Sequence, residues 1–209
     1  EAVGAGVTAF RPGDRVVVSC LLCCGTCRRC MEGDHQVCET FNAPANLLFG
    51  AQGEFFVVNG AQTSMAKVPD GLEDEQVLFV TDIMSTGFAA IERAELRAGD
   101  SVAIFAQGPV GLCATAGART YGAGLIIAVE GIPERAAMAK RLGADVVMEP
   151  SNAVAEIMRL TGNRGVDVAV EALGHEVTFQ NACAVVRNGG TVSSVGVYGG
   201  YSELRLPLG

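Results

Sequence analysis

The sequence lacks the features of a membrane, secreted or nucleic-acid-binding protein. No apolar run approaches the roughly 20 residues of a membrane-spanning helix. No Lys/Arg-rich stretch is present and the formal net charge is −8, which argues against nucleic acid and anionic membranes as partners. The N-terminus has no basic cluster, no apolar segment of a signal peptide and no Met. We therefore expect a soluble, cytoplasmic, globular chain cut from something longer.

Cysteine is abundant and unevenly distributed. Six of the eight cysteines lie between residues 20 and 38, a crowding that favours a metal site in a reducing compartment over a disulfide scaffold. Cys24, Cys27, Cys30 and Cys38 have two, two and seven residues between them, and four thiolates complete a tetrahedral zinc shell. Because such a shell leaves no position for substrate, this zinc would be structural.

The cysteine pattern has three other interpretations. A bacterial-type iron–sulfur cluster has a shorter final spacing followed by Pro, whereas Cys38 precedes Glu39. A nucleic-acid-reading zinc ribbon needs a basic face, and only Arg28 and Arg29 are available. Disulfides in an oxidised sample remain open.

The remaining cysteines and one histidine are given structural roles. We expect Cys20 and Cys23 to be small buried hydrophobes, and Cys113 and Cys183 to pack from helix faces into the core. His35 is predicted to be a surface-loop residue, since four cysteines already fill the metal shell.

A strand followed by a glycine turn and a helix predicts a phosphate-binding site. Residues 102–106 are apolar and partly β-branched, and a helix is expected from Pro109. Gly108 would allow close approach of a pyrophosphate to the backbone, and Gly111 would let the helix pack against its strand. The first glycine of the usual fingerprint is replaced here by Ala106. The alternative is a strand–helix–strand unit that binds nothing.

The next strand, 125–129, ends in Glu130, which favours NAD as the ligand. A carboxylate there accepts hydrogen bonds from both ribose hydroxyls of adenosine and repels the 2′-phosphate of NADP. Arg135 is the nearby cation that could weaken this preference, but we place it on a helix surface.

From residue 101 onward, strands and helices alternate regularly, which predicts an α/β fold with a doubly wound parallel sheet. The stretch before it has β character, including Val16–Val18 and a strand within 50–58. His175 stands at a strand end, where it either touches a cofactor or caps a helix. The expected elements are strands 101–106, 125–129, 145–148, 167–171 and 190–196, and helices 109–121, 133–142, 152–161 and 176–186.

The whole chain resembles the zinc-dependent medium-chain alcohol dehydrogenase family. The stretch from Asp82 to Phe88, Asp-Ile-Met-Ser-Thr-Gly-Phe, is most similar to the secondary-alcohol and formaldehyde dehydrogenase branch. The other matching motifs are Pro-Gly-Asp-Arg-Val at 12–16, the cysteine pattern, Pro-Asp-Gly-Leu at 69–72, Gly-Pro-Val-Gly at 108–111, Leu-Gly-Ala-Asp at 142–145 and Gly-Val-Asp at 165–167.

The resemblance implies a fold in two parts. Residues 1–84 would be part of an irregular antiparallel, GroES-like catalytic domain with its structural zinc lobe at 20–40. Residues 85–209 would be a Rossmann dinucleotide-binding domain that lacks its last strand. Asp82 would ligate a catalytic zinc together with a Cys and a His that lie before residue 1. From the residues alone, Asp82 could equally be a helix N-cap.

The resemblance also implies reversible hydride transfer between an alcohol and NAD, giving an aldehyde or ketone. NAD would contact Gly108, Pro109, Val110, Gly111 and Glu130. The backbone near Ala172, Leu173, Val195 and Val197 would border its nicotinamide half. The partners would be small alcohols, aldehydes or ketones and further copies of the chain, as a dimer or tetramer. With its catalytic metal site incomplete, the 209-residue chain alone should bind cofactor weakly and be inactive.

Two other functions are alternatives to this one. A zinc-free quinone or enoyl reductase on the same scaffold would have no thiolate lobe and would prefer NADPH. A non-catalytic, zinc-stabilised nucleotide-binding protein would keep the fold but lack the catalytic ligands.

Overall fold

The computed structural model describes residues 1–40, 43, 50–200 and 203–206. The chain forms two compact units, Glu1–Asp82 and Ile83–Gly209. Within the described ranges, no helix combines the length and the apolar character needed to cross a bilayer.

The first unit contains little regular structure. Strands β1 (Val16–Val18) and β2 (Met65–Lys67) pair antiparallel, with Val17 opposite Ala66. The turn before β1 is held by Asp14, which accepts a hydrogen bond from the Arg11 N–H at 3.0 Å and an ion pair from Lys67 at 2.8 Å. The short helices are α1 (Arg28–Met31), α2 (Ala61–Ser64) and α3 (Asp74–Val77), with a 3-10 turn at His35–Val37 and a π-helical turn at Val80–Met84.

The prediction of a strand within 50–58 is wrong. Residues 55–58 carry no ladder hydrogen bonds, and the side chains of Phe55 and Val57 are 72% and 73% exposed. An apolar run becomes a strand only when another strand pairs with it, and none of the described residues does so here.

The second unit begins with α4 (Ser85–Glu92) and then alternates strand and helix as predicted. The strands are β3 (Ser101–Phe105), β4 (Leu125–Val129), β5 (Val146–Met148), β6 (Val166–Glu171) and β7 (Val186–Ser194). The helices are α5 (Pro109–Thr120), α6 (Pro133–Arg141), α7 (Ala153–Leu160) and α8 (Glu176–Val185).

The five strands form one parallel sheet in the order β5-β4-β3-β6-β7. The chain moves outward from β3 to β5 and then returns to the other side of β3, which confirms the doubly wound fold. In such sheets, ligands bind at the carboxyl ends of the strands that flank this reversal, here β3 and β6. Strand β7 begins earlier than predicted because Val186 already pairs with Val166 before a register shift that precedes Thr191.

Both faces of the sheet are buried, which explains the continuous apolar runs of its central strands. Along β3, Val102 and Ile104 contribute to the cluster on one face, whereas Ala103 and Phe105 contribute to the cluster on the other. Helix α4 completes the first cluster by packing closely on α5. Gly87 makes this approach possible, since a Cβ there would lie 2.6 Å from the Cβ of Cys113.

Candidate functional site

The four cysteines predicted to bind zinc lie together in the first unit. Their sulfur atoms all fall within 4.8 Å of one another, with Cys24–Cys38 at 3.7 Å, Cys27–Cys38 at 3.9 Å and Cys24–Cys30 at 4.0 Å. Tetrahedral zinc with bonds of about 2.3 Å separates its sulfur ligands by about 3.8 Å. The spacing therefore fits one zinc ion and is far longer than a disulfide bond of about 2.05 Å. All of these thiols are free.

The protein environment separates the acidities of these thiols. N–H groups of Thr26 and Cys27 point at the Cys24 sulfur from 3.5 and 3.3 Å, and they lower the pKa of Cys24 to about 5. Burial raises the pKa of Cys30 to about 12, and the neighbouring thiols reinforce this shift. A divalent cation at the centre of the four sulfurs removes this difference in pKa, because it stabilises all the thiolates at once.

The predictions for three residues beside this cluster had different outcomes. Cys23 is 2% exposed, as predicted, and His35 lies at the surface. Cys20 was predicted to be buried, but it is exposed. It lies within hydrogen-bond reach of Asp82, and partial burial together with that carboxylate raises the pKa of the Cys20 thiol.

The N-cap position of α4 is Met84 and not Asp82. Asp82 lies inside the π-helical turn Val80–Met84, and its side chain is exposed. Such turns are rare and occur frequently at functional sites, because they direct a side chain differently from the regular helix around it. An exposed carboxylate is a common oxygen ligand of zinc.

In the second unit, three residues at the junction of β3 and α5 bear on phosphate binding: Ala106, Gly108 and Gly111. Ala106 has φ +73°, a left-handed conformation that the fingerprint normally assigns to glycine. A Cβ on Gly111 would overlap the carbonyl oxygen of Ala106, so only glycine fits there. Gly108 differs from both, since its φ is −67° and a Cβ would meet no atom within 4 Å. Gly108 is the N-cap of α5, and among the described residues neither its φ nor a neighbouring atom requires a glycine there.

Glu130 directly follows β4 and is 8% exposed. Its Oε2 accepts a hydrogen bond from the backbone N–H of Gln107 at 2.8 Å, and its Oε1 accepts from the N–H groups of Gly131 and Ile132, both at 2.9 Å. A carboxylate offers about four acceptor positions. Oε2, which accepts a single hydrogen bond among those described, therefore has room for a ribose hydroxyl next to the β3–α5 turn.

The chain was compared with known families and with solved structures. The family model "Alcohol dehydrogenase GroES-like domain" matches residues 1–70, and "Zinc-binding dehydrogenase" matches residues 109–209. The chain belongs to the zinc-type medium-chain alcohol dehydrogenase family.

Individual relatives agree with this assignment. An alcohol dehydrogenase of Cupriavidus necator is 43% identical over the whole chain, which spans 62% of that relative's length. The NADP-dependent isopropanol dehydrogenase of Thermoanaerobacter brockii is 38% identical over 98% of the chain and 60% of its own length. The structure of alcohol dehydrogenase TADH from Thermus sp. ATN1 superposes with a TM-score of 0.90 at 37% identity, covering 99% of this chain and 61% of that one. The chain thus spans about three fifths of the length of these proteins.

Medium-chain alcohol dehydrogenases use zinc and NAD(P), and this chain offers sites that fit both. The sulfur tetrad matches the size of zinc, and the open surface at Gly108 lies at the N-terminus of α5, where free N–H groups favour a phosphate. The thiolate lobe disfavours the zinc-free reductase alternative.

The four residues expected near the nicotinamide half lie at the carboxyl ends of β6 and β7. The Ala172 N–H donates to the Phe105 carbonyl at 3.1 Å, and the Val195 N–H donates to the Glu171 carbonyl at 2.9 Å. Leu173 and Val197 are exposed. The end of β6 therefore lies next to the end of β3, and the end of β7 lies next to the end of β6.

Sequence reasoning left one residue of this region open and missed another. His175 is the N-cap of α8, where its Nδ1 accepts a hydrogen bond from the Val177 N–H at 3.2 Å. Glu171 is the last residue of the predicted strand 167–171, yet its side chain is completely buried and accepts hydrogen bonds from both loops. The only signal in the sequence was a charged residue ending an apolar strand.

Proposed function

We propose that this chain carries the dinucleotide-binding part, and a portion of the catalytic part, of a zinc-dependent oxidoreductase that transfers a hydride between a small alcohol and NAD. Residues 85–209 would bind the dinucleotide, and residues 1–84 would contribute to the catalytic domain. The reaction interconverts the alcohol with an aldehyde or ketone. The bound zinc would supply a Lewis acid for the alcohol oxygen, and NAD would supply the hydride acceptor.

The proposal rests on the glycine at position 108, which the described fold does not itself require. Its ordinary φ of −67° and the open space around it show that neither backbone conformation nor packing demands a glycine. A pyrophosphate lying against the backbone at the N-terminus of α5 does demand one. Pro109, Val110 and Gly111 form the rest of this binding surface.

Glu130 supports NAD as the preferred cofactor. Its remaining acceptor position suits a ribose hydroxyl, and its negative charge repels a 2′-phosphate. The Thermoanaerobacter relative is named for NADP, so the proposed preference of this chain is opposite to that of a protein 38% identical to it.

The metal roles follow from the chemistry of the ligands. Cys24, Cys27, Cys30 and Cys38 would hold a structural zinc. Asp82 would act at the catalytic zinc, where an exposed carboxylate donates one oxygen ligand. We further propose that the protein is a cytoplasmic homo-oligomer, a dimer or tetramer, because this composition and family suit a soluble enzyme acting on small molecules.

Two alanine variants test the proposal. Gly108→Ala should lower the melting temperature by only about 2–4 °C, because the added methyl group meets no described atom within 4 Å and only the better N-cap propensity of glycine is lost. It should weaken NADH binding by the zinc-loaded 209-residue chain about tenfold, which corresponds to about 1.4 kcal/mol. Fluorescence titration extended to millimolar NADH measures the affinity.

Gly111→Ala is the matched control. Its methyl group overlaps the Ala106 carbonyl, so it should lower the melting temperature strongly. If Gly108→Ala binds NADH as well as the unmodified chain does, or if that chain binds none, the proposal is wrong.

A further inference from the structure

Glu171 is a buried acid that the proposed chemistry does not use. It ends β6, beside the end of β3 in the ladder, and its side chain is 0% exposed. Burying a carboxylate is costly unless hydrogen bonds replace its hydration. The groups that donate hydrogen bonds to Glu171 therefore indicate which parts of the chain it holds in place.

One carboxylate oxygen, Oε1, organises the loop after β6. It accepts hydrogen bonds from the N–H groups of Leu173 at 2.9 Å and Gly174 at 2.8 Å. It also accepts one from the Thr178 hydroxyl at 2.7 Å, in the first turn of α8. The loop and the start of the helix are thus fixed to the same atom.

The other oxygen, Oε2, organises the segment after β7. It accepts a hydrogen bond from the Tyr198 hydroxyl at 2.8 Å, and that hydroxyl also contacts the Ser194 hydroxyl at 2.6 Å. Burial, together with the hydrogen bond to Glu171, raises the pKa of Tyr198 to about 12. The phenol therefore stays protonated and remains a donor at physiological pH.

Glycines complete the contact between the two segments. Gly174 has φ +82°, and a Cβ on it would overlap the carbonyl of Val197. A Cβ on Gly196 would overlap the backbone nitrogen of Gly174 and would lie 2.5 Å from Glu171 Oε2. The two segments therefore meet backbone to backbone, directly around the carboxylate.

We propose that Glu171 is a positioning residue for the nicotinamide half of the dinucleotide, an inference that rests on the proposed function. It sets the backbone of residues 172–174 and 195–198, which the proposed function places along the nicotinamide ribose and ring. Glu171 itself does not touch the cofactor. The adenosine half depends on Glu130 and on the β3–α5 turn, neither of which bonds to the Glu171 side chain among the contacts described.

The test compares NADH with ADP, a probe that contains only the adenosine and pyrophosphate half. In the zinc-loaded 209-residue chain, Glu171→Gln should weaken NADH binding about tenfold, because charge-assisted hydrogen bonds become neutral ones. The affinity for ADP should change less than about twofold. Calorimetric titration of each ligand gives both dissociation constants.

Two further variants cover the case in which Glu171→Gln fails to fold. Tyr198→Phe and Thr178→Val each remove one hydroxyl that donates to the carboxylate, and each should weaken NADH binding about threefold with ADP binding unchanged. Asp167→Asn is the control for a purely structural effect, since Asp167 is the other buried acid of β6 and lies at the opposite end of the strand. It should lower the melting temperature but leave the ratio of the NADH and ADP affinities unchanged.

The outcomes separate this inference from the proposed function. Loss of NADH affinity with ADP affinity retained supports the positioning role. Equal loss of both, or loss of neither, overturns it while the proposed function stands. If the unmodified chain binds neither ADP nor NADH, the proposed function fails, and the positioning role fails with it.

Discussion

The backbone N–H of Gln107 donates a hydrogen bond to the Glu130 carboxylate at 2.8 Å, although the two residues are 23 positions apart. The acid at the end of β4 therefore holds the turn at the end of β3. The side chain of Gln107 also stabilises this turn. It is fully buried, and its Oε1 accepts a hydrogen bond from the Thr115 hydroxyl at 2.8 Å. The groups proposed to contact ribose and pyrophosphate are thus fixed relative to each other before any ligand arrives.

Glu130→Gln should change cofactor selectivity. The neutral side chain no longer repels a 2′-phosphate and accepts a ribose hydrogen bond more weakly, so NADH affinity should fall about fivefold and NADPH affinity should rise. Titration of the 209-residue chain with both cofactors gives the ratio. Glu134→Gln, an exposed acid in the first turn of α6, is the control and should leave the ratio unchanged. An unchanged ratio in Glu130→Gln would refute the assigned role.

Ala106→Gly should stabilise the second unit. Ala106 has φ +73°, a conformation that costs an alanine about 1–2 kcal/mol and costs glycine little. Glycine loses about 0.5–1 kcal/mol through greater freedom in the unfolded chain, so a net gain of about 0–1.5 kcal/mol is expected. Urea denaturation measures it. Ala103→Gly in the middle of β3, where the backbone is extended and the side chain buried, should destabilise instead.

The cysteine lobe should require its metal. Cys27→Ser should abolish tight zinc binding and should lower the melting temperature, because the remaining thiolates no longer close a tetrahedral shell. Elemental analysis of chain purified under reducing conditions should find one zinc on these four sulfurs. Cys183→Ser, on α8 and only partly buried, should leave zinc content unchanged. Equal zinc content in Cys27→Ser would contradict the assignment.

Asp167 should make stability depend on pH in acid. Burial raises its pKa, but hydrogen bonds from Arg164 and Arg187 outweigh this and leave the pKa of Asp167 well below its usual value. Because the unfolded state binds the proton more readily, the stabilisation is complete above about pH 4 and disappears as the pH falls through the lowered value.

Asp167→Asn should therefore cost about 2 kcal/mol at pH 7 and progressively less as the pH falls below about 4. Denaturation of the variant and of the unmodified chain, at pH 7 and at about pH 3, measures the difference in their stability. A deficit that stays constant with pH would show that packing, rather than charge, is lost in the variant.

Residues whose roles are local could be assigned from the sequence. The helix at Pro109 and the strand ending at Glu130 were predicted at their observed positions, because the apolar runs and the turn residues lie next to each other in the chain. The four cysteines also lie within fifteen positions of one another. Their convergence on one point follows from short loops, whose length limits how far apart the sulfurs can be.

Residues whose roles depend on distant partners could not be assigned in this way. The hydroxyl donors to Glu171 come from Thr178 and Tyr198, which are 7 and 27 positions away, and they meet only after β6 and β7 have paired. The prediction that Cys20 is a core residue was wrong because its environment also depends on a distant residue. Its neighbour Asp82 is 62 positions away and lies in a π-helical turn that no local sequence pattern predicts.

The backbone contact at Gly174 and Gly196 has a mechanical consequence. A Cβ on Gly174 would overlap the Val197 carbonyl, and a Cβ on Gly196 would overlap the Gly174 nitrogen, so the segments after β6 and β7 touch without intervening side chains. A displacement of one segment toward the other would press backbone on backbone and would be passed on to it. A spectroscopic label on Val197, which is 86% exposed, would then report a displacement that a ligand causes at Leu173.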